Sequence, residues 1–258
     1  MAGIIDQINV RDRVVFITGA GQGIGRTYAR EFARAGAIPV IAEINRENGE
    51  RVAAEIRAEQ GRCLAVATDV ASSESVDAAV AATLAEFGRI DVLINNAAVF
   101  APLVRGNFDD IDPQVWDRVM RVNVTGAWLC ARAVVPTMRK AGWGRIINVS
   151  SATVPLGMPM YAHYVTSKSA LIGLTRSLAR ELGPQGITVN CVMPGLTETD
   201  VEIPGRTDAT RHRVIDMQCI KRVGTSEDIV GMMLFLSSPA SGFMAGQTVL
   251  IDGGSAHL

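Results

Sequence analysis

Two side chains four positions apart, Tyr164 and Lys168, make the strongest chemical suggestion in this chain. On a helix, positions i and i+4 share a face, so a phenol and an ammonium there can serve one site. A free tyrosine loses its proton near pH ~10 and is a poor acid–base group at neutrality. A neighbouring cation favours the phenolate. Lowering that pKa by three units takes only about 4 kcal/mol of differential stabilisation. Taken alone, the pair reads equally well as a solvent-facing helix contact. Its meaning depends on what stands around it.

A second constellation lies near the start of the chain, in Thr18-Gly-Ala-Gly-Gln-Gly-Ile-Gly25. It follows the apolar run Val14–Thr18 and opens a helical pattern. Gly19, Gly21, Gly23 and Gly25 allow a tight turn and a close approach of backbone to a pyrophosphate. The helix that follows would offer free N–H groups and the positive end of its dipole. On a first strand-to-helix turn, such a loop reads as a dinucleotide cradle. Glu43, eighteen residues past Gly25, ends the second apolar run. An acid there accepts hydrogen bonds from the adenosine ribose hydroxyls and repels a 2′-phosphate. Gln22, inside the loop, is not basic either, so NAD is the expected cofactor. Arg46 lies nearby and reads as a solvated helix start. Ile24 and Val149 would pad a cofactor or simply fill the core. Asp69 and Val70 end the third strand, where an aspartate can reach an adenine edge. Asn95, Asn96, Ala97 and Ala98 end the fourth, with residues small enough to pass beneath a dinucleotide. A turn or cap role fits each of these equally well.

The elements that must position these groups are legible in the hydrophobic pattern. Strands are expected at Val14–Thr18, Ile38–Ala42, Cys63–Thr68, Val92–Asn95, Arg145–Ser150, Thr188–Val192 and Thr248–Ile251. Helices are expected near 24–35, 45–60, 73–87, 113–140, 161–182 and 226–237. Asp112-Pro113 supplies an N-cap and a first-turn proline, and Gly183-Pro184 is a stop signal. Seven strands alternating with crossover helices predict an α/β, doubly wound (Rossmann-type) parallel sheet with helices on both faces, spanning 1–258 as one domain. The segment 196–223 fits neither period, contains Pro204 and Gly205, and is expected to form a lid.

Composition narrows the function classes. The chain has 258 residues, 48% hydrophobic and 20% charged, with a net charge of −1. That is enough to bury a sizeable core. No basic run suggests nucleic acid, and no apolar run is long enough to span a bilayer. There is no signal-like start, so a soluble cytoplasmic protein is expected. Cys63, Cys130, Cys191 and Cys219 show no paired metal spacing and read as small hydrophobes.

With the glycine loop, Asn95-Asn96-Ala97, Ser151 and Tyr164-x-x-x-Lys168 in this order, the chain resembles the short-chain dehydrogenase/reductase family. The likeness runs from about residue 9 to Gly254 and is strongest to short members such as 3-oxoacyl-carrier-protein reductases and secondary-alcohol dehydrogenases. Asn123 in Arg121-Val-Asn-Val-Thr-Gly126, Pro194-Gly195 followed by Thr199, and Gly246–Gly254 match as well. Ala98 departs from a common glycine. The resemblance implies that Tyr164 is the acid–base group and that Lys168 lowers its pKa and holds the nicotinamide ribose. It implies that Ser151 binds the substrate oxygen, with Ser150 a strand-end residue. It also implies that Asn123 holds a water in a proton relay, although an asparagine inside a helix is unfavourable and a local distortion is the alternative. Pro194, Gly195, Thr197 and Thr199 would fix the nicotinamide carboxamide. No metal is needed.

For the substrate, Phe100, Thr153, Met158, Met160 and Tyr161, with Leu156, suggest an adaptable apolar pocket for a lipophilic or cyclic secondary alcohol or its ketone. His163 is expected in the pocket wall and His212 in solvent. An alternative is a 3-oxoacyl-thioester reductase using NADPH, against which Glu43 and Gln22 speak. A non-catalytic cofactor-binding sensor is a further alternative, opposed by the full Asn123, Ser151, Tyr164, Lys168 set. The broad apolar surfaces of helices 113–140 and 161–182 imply covering by partner subunits, and the resemblance implies a homotetramer.

Overall fold

A computed structural model of the chain describes residues 7–101, 103–202 and 207–257. Its centre is a seven-stranded, fully parallel sheet in the order β3-β2-β1-β4-β5-β6-β9. The strands are β1 (Val14–Thr18), β2 (Ile38–Glu43), β3 (Leu64–Ala67), β4 (Val92–Asn95), β5 (Gly144–Val149), β6 (Ile187–Pro194) and β9 (Thr248–Ile251). A separate parallel pair, β7 (Thr197–Glu198) with β8 (Gly224–Thr225), lies outside that sheet.

The central strands read as unbroken apolar runs because both of their faces are covered. Along β1 every residue is buried, and successive side chains enter opposite layers. Val14 and Phe16 pack with helices α3 (Ser73–Phe87), α5 (Gly126–Ala141) and α7 (Ala162–Leu182), through residues such as Val80, Leu129 and Leu182. Val15 and Ile17 pack with α1 (Gly23–Arg34), α2 (Arg46–Ala58) and α9 (Glu227–Leu236), through Phe32, Ile56 and Met233. The strand order reverses at β1 and β4, which opens a crevice at the carboxyl ends of these strands.

The predicted helix over 113–140 is interrupted. It runs as α4 (Pro113–Met120), a π-helical turn over Arg121–Thr125, and then α5. Asp112 caps α4 by accepting from Gln114 N–H, with Pro113 in the first turn. Gly183-Pro184 ends α7 at Leu182, as the stop signal predicts, and Gly183–Gln185 follow as a 3₁₀ turn. A short helix that the pattern does not announce, α6 (Thr153–Leu156), follows β5.

The segment 196–223 carries more structure than its lack of periodicity predicts. Its ends are joined by pairing of Thr197 with Gly224, and it contains α8 (Asp208–Met217), capped by Thr207. Pro204 and Gly205 lie outside the described residues. Among the described residues no helix is long and apolar enough to cross a membrane.

Candidate active site

The candidate site forms where the carboxyl ends of β1, β4, β5 and β6 meet α1 and α7. Glycines at the β1–α1 turn are there for close contact. A Cβ on Gly25 would lie 2.2 Å from the Gly19 carbonyl oxygen, and one on Gly19, at φ +63°, would lie 2.8 Å from Ala97 Cα. Thr18 Oγ1 accepts from the N–H groups of Asn96 and Ala97, and Asn96 Nδ2 donates to the carbonyls of Thr18 and Gly19. The end of β4 therefore clamps the glycine loop, which is the structural role that Asn96 and Ala97 take.

Beside the loop, Glu43 is buried. Its carboxylate accepts from Gly21 N–H at 3.0 Å and from Asn45 N–H at 3.1 Å. Glu43, Arg46 and Glu50 line a cavity of about 170 Å³ with Gly49 and Ala65–Ala67. Asp69 lies at the end of β3, where Oδ1 accepts from Ala71 N–H in a turn. Val70 is buried against Gly126, and Ile24 packs on the core beneath α1.

The N-terminus of α1 already holds an anion. Gln22, its cap residue, makes no side-chain capping bond. Asp200 Oδ1 instead accepts from Gly23 N–H at 2.8 Å, and Oδ2 lies 3.5 Å from Arg26 Nη1. A helix N-terminus filled by a carboxylate from a neighbouring segment is a site with affinity for negative charge. The donor set thus fits a dinucleotide pyrophosphate. Arg26 also meets Glu55, at 2.9 Å.

Tyr164, Lys168 and Ser151 converge at the end of β5. Burial pushes the Tyr164 phenol well above its usual range, opposed by a hydrogen bond with the Ser151 hydroxyl. Ser151 Oγ also accepts from Thr153 N–H. Lys168 is only 2% exposed, and its Nζ donates to the Val149 carbonyl at 2.7 Å. Burial pulls its pKa down to about 8. Nζ lies 5.7 Å from the centre of the Tyr164 ring. The expectation is that Lys168 lowers the phenol pKa; here the ammonium is turned to a carbonyl, and burial is the largest effect on both groups. Ser150 donates to the Lys168 carbonyl at 2.7 Å, as a strand-end residue would.

The π turn explains Asn123. It sits buried inside that turn, and its Oδ1 accepts from Val99 N–H at 2.8 Å. Its Nδ2 donates to Ser167 Oγ at 3.0 Å. Asn123 thereby ties the loop after β4 to the residue next to Lys168. Deeper in the sheet, Asn95 Nδ2 donates to Asn148 Oδ1 and Asn148 Nδ2 to Thr175 Oγ1, fastening α7 to β4 and β5.

At the opposite rim, Gly195 leaves no room for a side chain, because a Cβ there would meet Asp252 at 2.6 Å. Thr197 Oγ1 donates to the Gly195 carbonyl, and Thr199 Oγ1 accepts from Val201 N–H. Pro194 ends β6.

Of the expected pocket residues, Phe100, Met158 and Tyr161 gather around Tyr164 together with Leu103 and Val119. The Phe100 ring lies 4.5 Å from that of Tyr164 and 5.9 Å from that of Tyr161. Thr153 stands next to Ser151 on α6. Met160 is not drawn in. It is 47% exposed, with φ +66°. His163 is buried with its Nδ1 unpartnered, and His212 is exposed. Sequence reasoning passed over Thr18, Arg105 and Asp200. An acid directly after Thr199, in a segment expected to form a lid, was the available signal for Asp200.

Comparison with known proteins follows the same outline. A family model described as enoyl-(acyl carrier protein) reductase matches residues 19–256. The short-chain reductase NovJ of Streptomyces niveus is 37% identical over 95% of this chain and 94% of its own. A gluconate 5-dehydrogenase of Burkholderia cenocepacia, solved with NADP and tartrate, superposes with a TM-score of 0.92 at 34% identity, covering 98% of each chain. A 3-ketoacyl-(acyl-carrier-protein) reductase of Brucella melitensis, solved with NADH, superposes at 0.88 with 33% identity, covering 96% of this chain and 100% of its own.

Proposed function

The chain belongs to the short-chain dehydrogenase/reductase family of oxidoreductases, and on that premise we propose that it transfers a hydride between a secondary alcohol or ketone and NAD, with Tyr164 as the acid–base group. The observation that carries this reading is the convergence of Tyr164, Ser151 and buried Lys168 at the mouth of a glycine-loop cradle.

Bound there, a nicotinamide dinucleotide supplies the hydride acceptor or donor. The protein's part is orientation and proton handling. Ser151 Oγ, which lowers the phenol pKa from its side of the site, places a substrate oxygen against Tyr164 Oη. In reduction the Tyr164 phenol gives its proton to that oxygen, and in oxidation the Tyr164 phenolate takes it back. Lys168 has a single protein acceptor among the described residues, which leaves two of its three N–H donors for ribose hydroxyls. Asn123 positions both the loop after β4 and Ser167, and so the wall of the site. Gly19, Gly23, Gly25 and the N-terminus of α1 hold the pyrophosphate. Pro194, Gly195, Thr197 and Thr199 border the nicotinamide end, with the 196–223 segment as a lid. Glu43 favours NAD by presenting a carboxylate where a 2′-phosphate would lie.

Phe100, Met158 and Tyr161 favour a substrate with an apolar or cyclic body. A second reading, an NADPH-dependent 3-oxoacyl-thioester reductase, has Arg46 in its favour, because that guanidinium shares the cavity beside Glu43. Exposed Trp128 on α5 supports assembly through that helix, and we read the protein as a homotetramer.

The test is a spectrophotometric screen of aliphatic, cyclic, aryl, polyol and hydroxyacyl substrates with NAD and with NADP, run on wild type and Tyr164→Phe. The expected result is NAD-linked turnover that the variant loses by several orders of magnitude while still binding NADH. Normal turnover by Tyr164→Phe would overturn the assignment.

A further inference from the structure

Beside the rings that surround Tyr164 stands a cation that the reading above does not use. Arg105, on the loop after β4, donates from Nε to the Tyr161 hydroxyl at 3.0 Å. Its guanidinium lies 5.4 Å from the centre of the Tyr161 ring. Tyr161 is buried, packs in one cluster with Tyr164, and is bridged to it by Phe100. The Tyr161 and Phe100 rings thus link Arg105 to the reactive phenol, and the loop bearing Arg105 is pinned by Gly106 N–H on the Met160 carbonyl and by Asn123 on Val99.

Arg105 is exposed and is not neutralised by a neighbouring acid. Among the described residues no carboxylate lies within ion-pair distance of Arg105. With Nε engaged, its two terminal nitrogens remain to meet two oxygens side by side, the geometry that suits a carboxylate. The Tyr161 hydroxyl accepts from Arg105, so its own proton is free to be donated to the same acceptor. His163, whose ring stacks on Tyr161 at 6.4 Å, has a buried Nδ1 without a hydrogen bond among the described residues, a state seldom seen for a buried polar atom.

We infer that Arg105 and Tyr161 form an anion anchor at the mouth of the Tyr164 site, so that the substrate is a secondary alcohol or ketone carrying a carboxylate on an apolar or aromatic body. The inference rests on the proposed reaction for the catalytic role of the site but not for the anchoring itself. Lysine in place of Arg105 would retain charge and lose the fork, so it separates general attraction from paired recognition.

The experiment is isothermal titration of the full-length protein, saturated with NADH, with benzoate and 3-phenylpropanoate and with their carboxamides. Wild type, Arg105→Ala and Arg105→Lys are compared. Wild type should bind a carboxylate at least tenfold tighter than its amide. Arg105→Ala should abolish that preference while leaving amide affinity within about twofold, and Arg105→Lys should keep only part of it. Equal affinity for acid and amide in wild type, or a preference that survives Arg105→Ala, would overturn the inference. A parallel turnover panel of 2-, 3- and 4-hydroxy acids separates the two readings. Arg105-dependent carboxylate binding without turnover of any alcohol would refute the hydride-transfer proposal and uphold the anchor.

Discussion

Replacing Lys168 by methionine should destroy catalysis and yet stabilise the protein at neutral pH, by an amount that vanishes in alkali. The ammonium is 2% exposed and has one carbonyl acceptor, at 2.7 Å, with no carboxylate in ion-pair contact among the described residues. Its pKa falls from the ordinary 10.5 to about 8 because burial penalises the charge. A depressed pKa on a base means that the unfolded chain holds the proton more tightly than the folded one. Stability contributed by this group therefore rises with pH between about 8 and 10.5. At 1.36 kcal/mol per pH unit, that interval corresponds to roughly 3 kcal/mol, most of it recovered between pH 7 and pH 10. Methionine has similar length and no charge, so its stability lacks this dependence. The measurement is reversible urea unfolding of both proteins, cofactor-free, at intervals from pH 7 to pH 10. The gap in unfolding free energy should shift by roughly 2–3 kcal/mol in favour of wild type across that range. On melting curves this is on the order of 5–10 °C for a chain of this size. A gap that stays flat with pH would refute the argument, whatever its absolute size.

Other consequences follow from the cradle. Glu43→Gln should narrow the preference for NADH over NADPH at least tenfold by fluorescence titration, since a carboxylate within about 5 Å of a 2′-phosphate costs roughly 2 kcal/mol or more after screening. Asp200→Ala should tighten NADH binding about fivefold, because the pyrophosphate no longer displaces a carboxylate from Gly23 N–H. That side chain is 43% exposed, so the bond is worth only about 1 kcal/mol. Unchanged or weaker binding would show that Asp200 does not compete. Gly25→Ala puts a methyl 2.2 Å from the Gly19 carbonyl oxygen, and dinucleotide affinity should drop more than tenfold. A variant of normal affinity would mean that the loop can relax.

The sheet was legible because parallel strands buried on both faces must be apolar throughout, and β1 and β4 begin and end at the predicted residues. The interruption of the 113–140 helix was not. Val119, Leu129 and Val134 keep a helical stripe on either side of it, so periodicity alone shows no break. Asn123 marks the place, and what it does there depends on Val99 and Ser167, which only the fold brings to it. The 196–223 segment hid α8 because a helix with no buried residue leaves no apolar stripe to read.

By itself the sequence determined the fold class and singled out the residues proposed as the reacting set. Glycine spacing on a first strand-to-helix turn and Tyr164-x-x-x-Lys168 after Ser151 express local geometry, and local geometry is written in neighbouring residues. Tertiary structure decided the energetics of that set. It buried Lys168 against the Val149 carbonyl, raised rather than lowered the Tyr164 phenol, laid Asp200 on the helix N-terminus and stood Arg105 beside Tyr161. Each of these joins residues that are distant in the chain or depends on exclusion of water. Desolvation and long-range contact belong to the folded assembly of elements, and no short stretch of sequence encodes them.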